Sequence, residues 1–236
     1  MQKQVIVVLT TLLMLILPLC GWAQFAYTTN NGVITITGYY VSTGDVTIPN
    51  SINGYPVTTI GTNAFQNQTA ITNVTIPNSV TTIGRQAFYS CSHLTSFAIP
   101  ESVTNIGDEA FFYCTVLTNI TVNVANPNFA SVGGVLFNKA LTKLIQFPGG
   151  RSGSYAIFDG VTNIGDAAFY ECSGLKSVTI PNSITSIGVG AFDYCFGLTN
   201  FTVDAANPSF ASASGVLFNK TFTTLLQFPI GPVGNY

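Results

Sequence analysis

The sequence predicts a mainly β solenoid, and three observations carry that prediction. Ile-Gly recurs at Ile60-Gly61, Ile83-Gly84 and Ile106-Gly107, each step 23 residues, and returns at Ile164-Gly165 and Ile187-Gly188, again 23 apart. Three residues after each of these glycines comes Ala-Phe: Ala64-Phe65, Ala87-Phe88, Ala110-Phe111, Ala168-Phe169 and Ala191-Phe192. A longer segment, Asn126-Pro127-Asn128-Phe129 to Phe147-Pro148, reappears 81 residues later as Asn207-Pro208-Ser209-Phe210 to Phe228-Pro229. A fixed period of this size marks a chain whose units bury their apolar sides against their neighbours.

The first 23 residues read as an export signal. Lys3 is a short basic start, Val5 to Leu19 an apolar stretch, and Gly21-Trp22-Ala23 places small residues at a cleavage site. The apolar run is short for a membrane anchor and no basic stop-transfer cluster follows, so no membrane span is expected after cleavage. Cys20 does not fit a lipidation site, because Leu19 stands where a small residue is needed. Residues 24–45 follow as an N-terminal cap: Asn30-Asn31-Gly32 between two β-prone runs predicts a hairpin.

The array proper is expected over residues 46–236. Each regular unit, Ile71–His93, Leu94–Val116 and Leu175–Gly197, opens on a strand with two or three apolar positions, such as Ile71, Val74 and Ile76. Pro77, Pro100 and Pro181 end those strands, because proline cannot donate to a ladder. A second apolar pair leads to a glycine, expected to turn the backbone where other residues would be strained. Ala-Phe should then turn one side chain inward within a short turn or single helical turn. The module that recurs after 81 residues reads as two coils, Leu117–Ala140 and Leu141–Gly174, with Gly149 to Ser154 as an exposed insertion. Tyr236 falls at the phase of Tyr155, so the array is expected to stop mid-repeat.

The pattern L-x-x-φ-x-I-P-x-S-V-x-x-I-G-x-x-A-F-x-x-C resembles the bacterial BspA-like leucine-rich repeats, and the N-P-N-F to L-x-x-F-P module is also similar to part of that family. The resemblance covers about residues 46–236. It implies a leucine-rich-repeat right-handed coil with a parallel sheet, secretion or display on the cell surface, and a protein-binding or adhesive role. It implies no catalytic residues and no cofactor.

Chemistry is otherwise sparse. Charged residues make up 7% of the chain, against roughly 25% in ordinary domains, and a net charge of -2 does not point to nucleic acid, which needs a basic stripe. Cys91, Cys114, Cys172 and Cys195 share one phase, where Gln68 also stands, so they are expected to be inward-facing and unpaired. The single histidine, His93, occupies a variable turn position and reads as a surface residue. Asp108, Glu109 and Asp166 sit just after the glycine, where Thr62-Asn63, Arg85-Gln86 and Val189-Gly190 stand in other coils, so the acids do not stack in neighbouring coils as a calcium ladder needs and read as solvated turn residues.

Two surfaces are candidates for binding a protein or glycan. The first is a polar strand face: Thr72, Asn73, Thr75, Thr95, Ser96, Thr118, Asn119, Thr121, Lys176, Ser177, Thr179, Thr199, Asn200 and Thr202. Solvated, β-prone threonines would produce the same pattern without binding anything. The second is an aromatic series past each Ala-Phe: Tyr89, Tyr113, Tyr170 and Tyr194, with Phe112 beside them. The expected function is therefore an exported, non-catalytic recognition or adhesion module presenting its polar solenoid face to a protein or glycan, with a structural spacer or envelope component of a longer surface protein as the alternative. An ice-binding face is disfavoured because Ala98 and Lys176 break the threonine rows.

Overall fold

The structure is a computed structural model that describes residues 24–41 and 44–231. The expected signal segment and the Tyr236 alignment lie outside the described residues. The described residues contain strands and turns and no helix.

Phe25–Asn30 and Val33–Tyr39 pair as an antiparallel hairpin, turning at Asn31 and Gly32, both with positive φ. Val33–Tyr39 then pairs in parallel with Tyr55–Ile60. From there each regular coil contributes an opening strand and a two-residue strand before its glycine. The opening strands pair in parallel in three separate stretches: Asp45–Thr47 with Asn73–Thr75, Ser96–Ile99 with Asn119–Val122, and Gly153–Ala156 with Leu175–Ile180 and then Asn200–Val203. The residues before each glycine pair in a second parallel set, Ile60 with Ile83 and Ile83 with Ile106. The second ladder was not assigned as strand from sequence, because a two-residue strand leaves no alternation to read.

The glycine column has a different cause from the expected one. Gly84, Gly107 and Gly188 have no positive φ. Instead, a Cβ on Gly107 would sit 2.4 Å from Arg85 N and one on Gly84 2.7 Å from Gly61 C. Glycine is there because successive backbones touch. The left-handed φ falls two and six residues later, at Asn63 and Asn67, Gln86 and Ser90, Glu109 and Tyr113, Ala167 and Glu171. The segment is therefore a run of tight turns, with i−3 bonds such as Ala87 N to Gly84 O and Tyr89 N to Gln86 O.

Those turns stack. The N–H groups of Gln86, Phe88 and Ser90 donate to the carbonyls of Asp108, Ala110 and Phe112 in the next coil, and Asn63, Phe65 and Asn67 donate likewise to Arg85, Ala87 and Tyr89. Both members of each Ala-Phe pair are buried, not one as expected: Ala87 and Phe88 are 0% exposed, and Ala168 and Phe169 are the same. The rings stack in two columns, Phe65–Phe88–Phe111 and Phe147–Phe169–Phe192, with neighbouring centroids 5.0–6.1 Å apart.

The module that recurs after 81 residues is where the sequence reading changes most. Phe129–Val132, Val135–Asn138 and Lys143–Gln146 form an antiparallel meander, whose last strand pairs in parallel with Asn163–Ile164. Phe147 takes the stacking phase of the Ala-Phe phenylalanines, so the first coil of the module runs on past Ala140. The expected loop insertion is also corrected. Gly150 lies against the previous coil, where a Cβ would meet Val116 C at 2.4 Å, and Gly153–Ala156 is a strand paired with Leu175–Ile180. The meander recurs at Phe210–Ala213, Val216–Asn219 and Leu225–Gln227.

One buried amide locks each meander to the coil before it. Asn126, with no exposed surface, donates through Nδ2 to Pro100 O and Val103 O, both at 2.8 Å, and accepts through Oδ1 from the N–H groups of Asn128 and Phe129. Asn207 repeats all four bonds with Pro181, Ile184, Ser209 and Phe210. An amide side chain supplies two donors and two acceptor lone pairs, and both residues use them all.

Candidate recognition surfaces

The four cysteines face inward. Among the described residues they are free and buried, and each thiol donates to a phenylalanine carbonyl of the preceding coil: Cys91 to Phe65, Cys114 to Phe88, Cys195 to Phe169, and Cys172 to Phe147 at a longer 3.8 Å. Burial pushes the Cys91 thiol up to about 12 and raises those of Cys114 and Cys172 as well. A thiol that titrates near 8.5 when unfolded and near 12 when folded keeps its proton in the native state while the unfolded chain loses it. Stability should therefore be undiminished below about pH 8.5 and fall progressively as pH rises toward 12. Urea titrations between pH 7 and 11 check this, and replacing Cys91 by alanine should flatten the decline. Labelling with a thiol reagent should be slow in the native protein and modify all four positions after denaturation.

The strand face is laid out as the alternation requires. Thr72, Asn73, Thr75, Thr95, Thr118, Asn119, Thr121, Lys176, Thr179 and Thr202 are exposed, and Ser96, Ser177, Thr199 and Asn200 are half-buried. Part of this polarity is spent internally. The hydroxyls of Thr95, Thr118 and Thr199 donate to the carbonyls of Thr72, Thr95 and Lys176 one coil back, and Thr72 donates to Gly44 O. Thr75, Ala98 and Thr121 line a shallow depression of about 470 Å³. Ala98, which breaks the threonine row, stands in it between the two threonines.

The aromatic residues come together in one stripe. Tyr89 lies 5.0 Å from Tyr113, Tyr170 lies 5.1 Å from Tyr194, and Tyr194 lies 5.9 Å from Phe196, ring centre to ring centre. The link across the module is Tyr170, stacked on Phe112 at 4.3 Å and joined to Tyr113 through a 3.0 Å hydroxyl contact. Burial, reinforced by the Tyr113 hydroxyl, raises the Tyr170 phenol. Tyr194 and Phe196 are 48% and 56% exposed. Phe196 escaped the sequence reading because its phase elsewhere holds Ser92, Thr115 and Ser173, so nothing recurs to reveal it.

Beneath this stripe the solenoid is broken. The ladder that ends at Asn105–Ile106 and the one that includes Lys143–Gln146 belong to different sheets, and the buried core divides into two clusters at the same place. Between them lies a cleft of about 450 Å³. Ile106, Phe111, Leu136 and Ile145 contribute its apolar surface, and Asp108, Glu109, Asp166, Asp193 and Lys143 its charge. Glu109 is already engaged, by Arg85 at 2.9 Å and by Gln86, and that pairing holds its carboxyl below the usual range. Sequence spacing separates Asp108 from Asp166 by 58 residues, and only the meander brings them to one cleft. His93 is exposed, with Nδ1 3.5 Å from Ser92 Oγ. No cluster of metal-ligating side chains occurs among the described residues.

A two-ladder β coil with a phenylalanine column and buried cysteines defines a leucine-rich-repeat solenoid. The profile of the BspA type leucine rich repeat region matches residues 39–152 and 147–219 in six copies, and the chain belongs to that family. Among solved structures, the pneumococcal vaccine antigen PcpA is 18% identical, with 78% of this chain and 69% of that one covered at a TM-score of 0.50. That likeness speaks to fold alone. The leucine-rich repeat protein of T. pallidum is 27% identical over 76% of this chain and 69% of its own, at a TM-score of 0.48. A leucine rich cell surface protein of Faecalibacterium prausnitzii is 25% identical over 76% and 74%, at a TM-score of 0.42. No protein of curated function matches the chain.

Proposed function

We propose that this chain is an exported, non-catalytic recognition or adhesion module that takes a protein or glycan on its aromatic stripe. The carrying observation is the continuity of that stripe: rings from four coils stay in contact across the meander, and its far end, Tyr194 and Phe196, is open to solvent. Tyrosine offers large apolar area with a polar tip at low entropic cost, which is why it is enriched in binding surfaces. Membership of the repeat family supports the class, and the leader-like Met1 to Ala23 supports export to the medium or the cell surface.

The test is a screen of the folded chain against a glycan array and a library of extracellular proteins, repeated with Tyr194→Ala and Phe196→Ala. Both side chains are exposed, so the unfolding temperature should stay within a few degrees of the parent's. Binding should fall about tenfold or more if these rings anchor the partner. Retained binding in both variants, together with loss on Thr75→Lys and Thr121→Lys, would move the site to the strand face.

A further inference from the structure

The meander leaves one wall of the cleft with unmatched backbone donors. In every regular junction before it, three alternate N–H groups of the turn segment donate to the next coil: Asn63, Phe65 and Asn67, then Gln86, Phe88 and Ser90. The same phase in the coil Leu94–Val116 is Glu109, Phe111 and Tyr113. Among the described residues no acceptor meets these three N–H groups, although Phe111 is only 5% exposed. Glu109 and Phe111 line the 450 Å³ cleft, and Tyr113 lines a small extension of it beside Glu171. In the extension, Glu171 Oε2 is buried without a partner.

We infer that this cleft is a docking site for an extended, basic peptide segment of a partner protein, which restores the missing rungs with its own carbonyls. The intact junctions give the length: the segment that receives Gln86, Phe88 and Ser90 is Asp108 to Phe112, five residues. The three unmatched donors line an open cleft in ladder spacing, and an extended chain that supplies alternate carbonyls is a recurring way to complete an open ladder. The charge selects the partner. Asp108, Asp166 and Asp193 face a single Lys143 around the cleft, while Glu109 is already paired with Arg85. A lysine or arginine side chain can lay its methylene stem on Ile106 and Ile145, keep its charge among the aspartates, and approach the Phe112–Tyr170 stack. This site is distinct from the exposed end of the aromatic stripe and stands independently of the stripe's role.

The probe is a capped decapeptide of alternating threonine and lysine, with alternating threonine and glutamate as the control. Amide exchange of the full chain is followed by NMR at low salt while each peptide is added. The lysine peptide should saturate and slow exchange at Glu109, Phe111 and Tyr113, and the glutamate peptide should do neither. The triple variant Asp108→Asn, Asp166→Asn, Asp193→Asn keeps the oxygen by which Asp166 accepts from Val189 N, so it should fold. It should bind the lysine peptide roughly tenfold more weakly, the combined effect of three partly exposed charge pairs. Lysine-peptide binding that leaves the three amides unprotected, equal binding of the glutamate peptide, or unchanged affinity in the triple variant would each overturn the proposal. So would no binding by either peptide.

Discussion

Replacing Phe88 by alanine will cost about 3–5 kcal/mol of unfolding free energy, the range for deleting a fully buried aromatic ring. Phe88 is 0% exposed and touches three other rings: stacked between Phe65 and Phe111, and edge-on to Phe97 at 4.9 Å. Coils on both sides lose contact with the missing ring, so the cavity cannot collapse from one side alone. Phe111 should cost somewhat less, because its outer face borders the cleft where Phe88 has a neighbour. Urea unfolding followed by circular dichroism measures both. A change near zero for Phe88 would mean that the phenylalanine column is not the spine of the solenoid.

Replacing Asn126 by alanine will be about as damaging for a different reason. The substitution removes little apolar area but strands two buried carbonyls, of Pro100 and Val103, and two N–H groups, of Asn128 and Phe129. Each buried group left without a partner costs about 1–3 kcal/mol, and water entering the vacated space recovers part of it, so a loss of about 3–6 kcal/mol is expected. Asn126→Asp adds a sign that separates this account from simple packing loss. The aspartate keeps the acceptor and loses the donors, which places a carboxylate against two carbonyl oxygens. Its folded pKa must then rise above the unfolded value near 3.9. The variant should be most stable below about pH 4 and lose stability as pH rises through the folded pKa, the reverse of an ordinary paired carboxylate. Equal destabilisation at pH 3.5 and pH 7 would contradict the clamp.

The periodic part of the fold was legible because solenoid coils repeat their environment as well as their sequence. Phe88 and Cys91 recur at one phase each, and every phenylalanine and cysteine at those phases is buried. Two things were read with the wrong cause. The glycine column answers to contact between coils, visible only when a neighbouring backbone is in place. The burial of both alanine and phenylalanine depends on left-handed residues such as Gln86 and Glu109, which no propensity scale assigns to that conformation.

The meander was partly hidden because it occurs only twice, so alignment shows that Asn126 and Asn207 match but not what they hold. The cleft was hidden altogether. Its walls come from Asp108 in one coil and Asp166 in another, and its open donors are backbone atoms, which carry no sequence signature. The aromatic stripe was legible in four of its members and not in Phe196, whose phase is otherwise filled by Ser and Thr.

Amide hydrogen exchange in the unliganded protein tests the central claim, that the meander breaks a ladder continuous elsewhere. Phe88 and Phe111 sit at the same phase and bury their rings nearly equally, 0% and 5% exposed. Only Phe88 donates to a next-coil carbonyl, Ala110 O at 2.9 Å. The account predicts that Phe65, Phe88 and Phe169 exchange slowly, near the limit set by global unfolding, while Phe111 exchanges orders of magnitude faster despite its buried ring. Equal protection at Phe88 and Phe111 would contradict it, because the ladder would then run unbroken through the module.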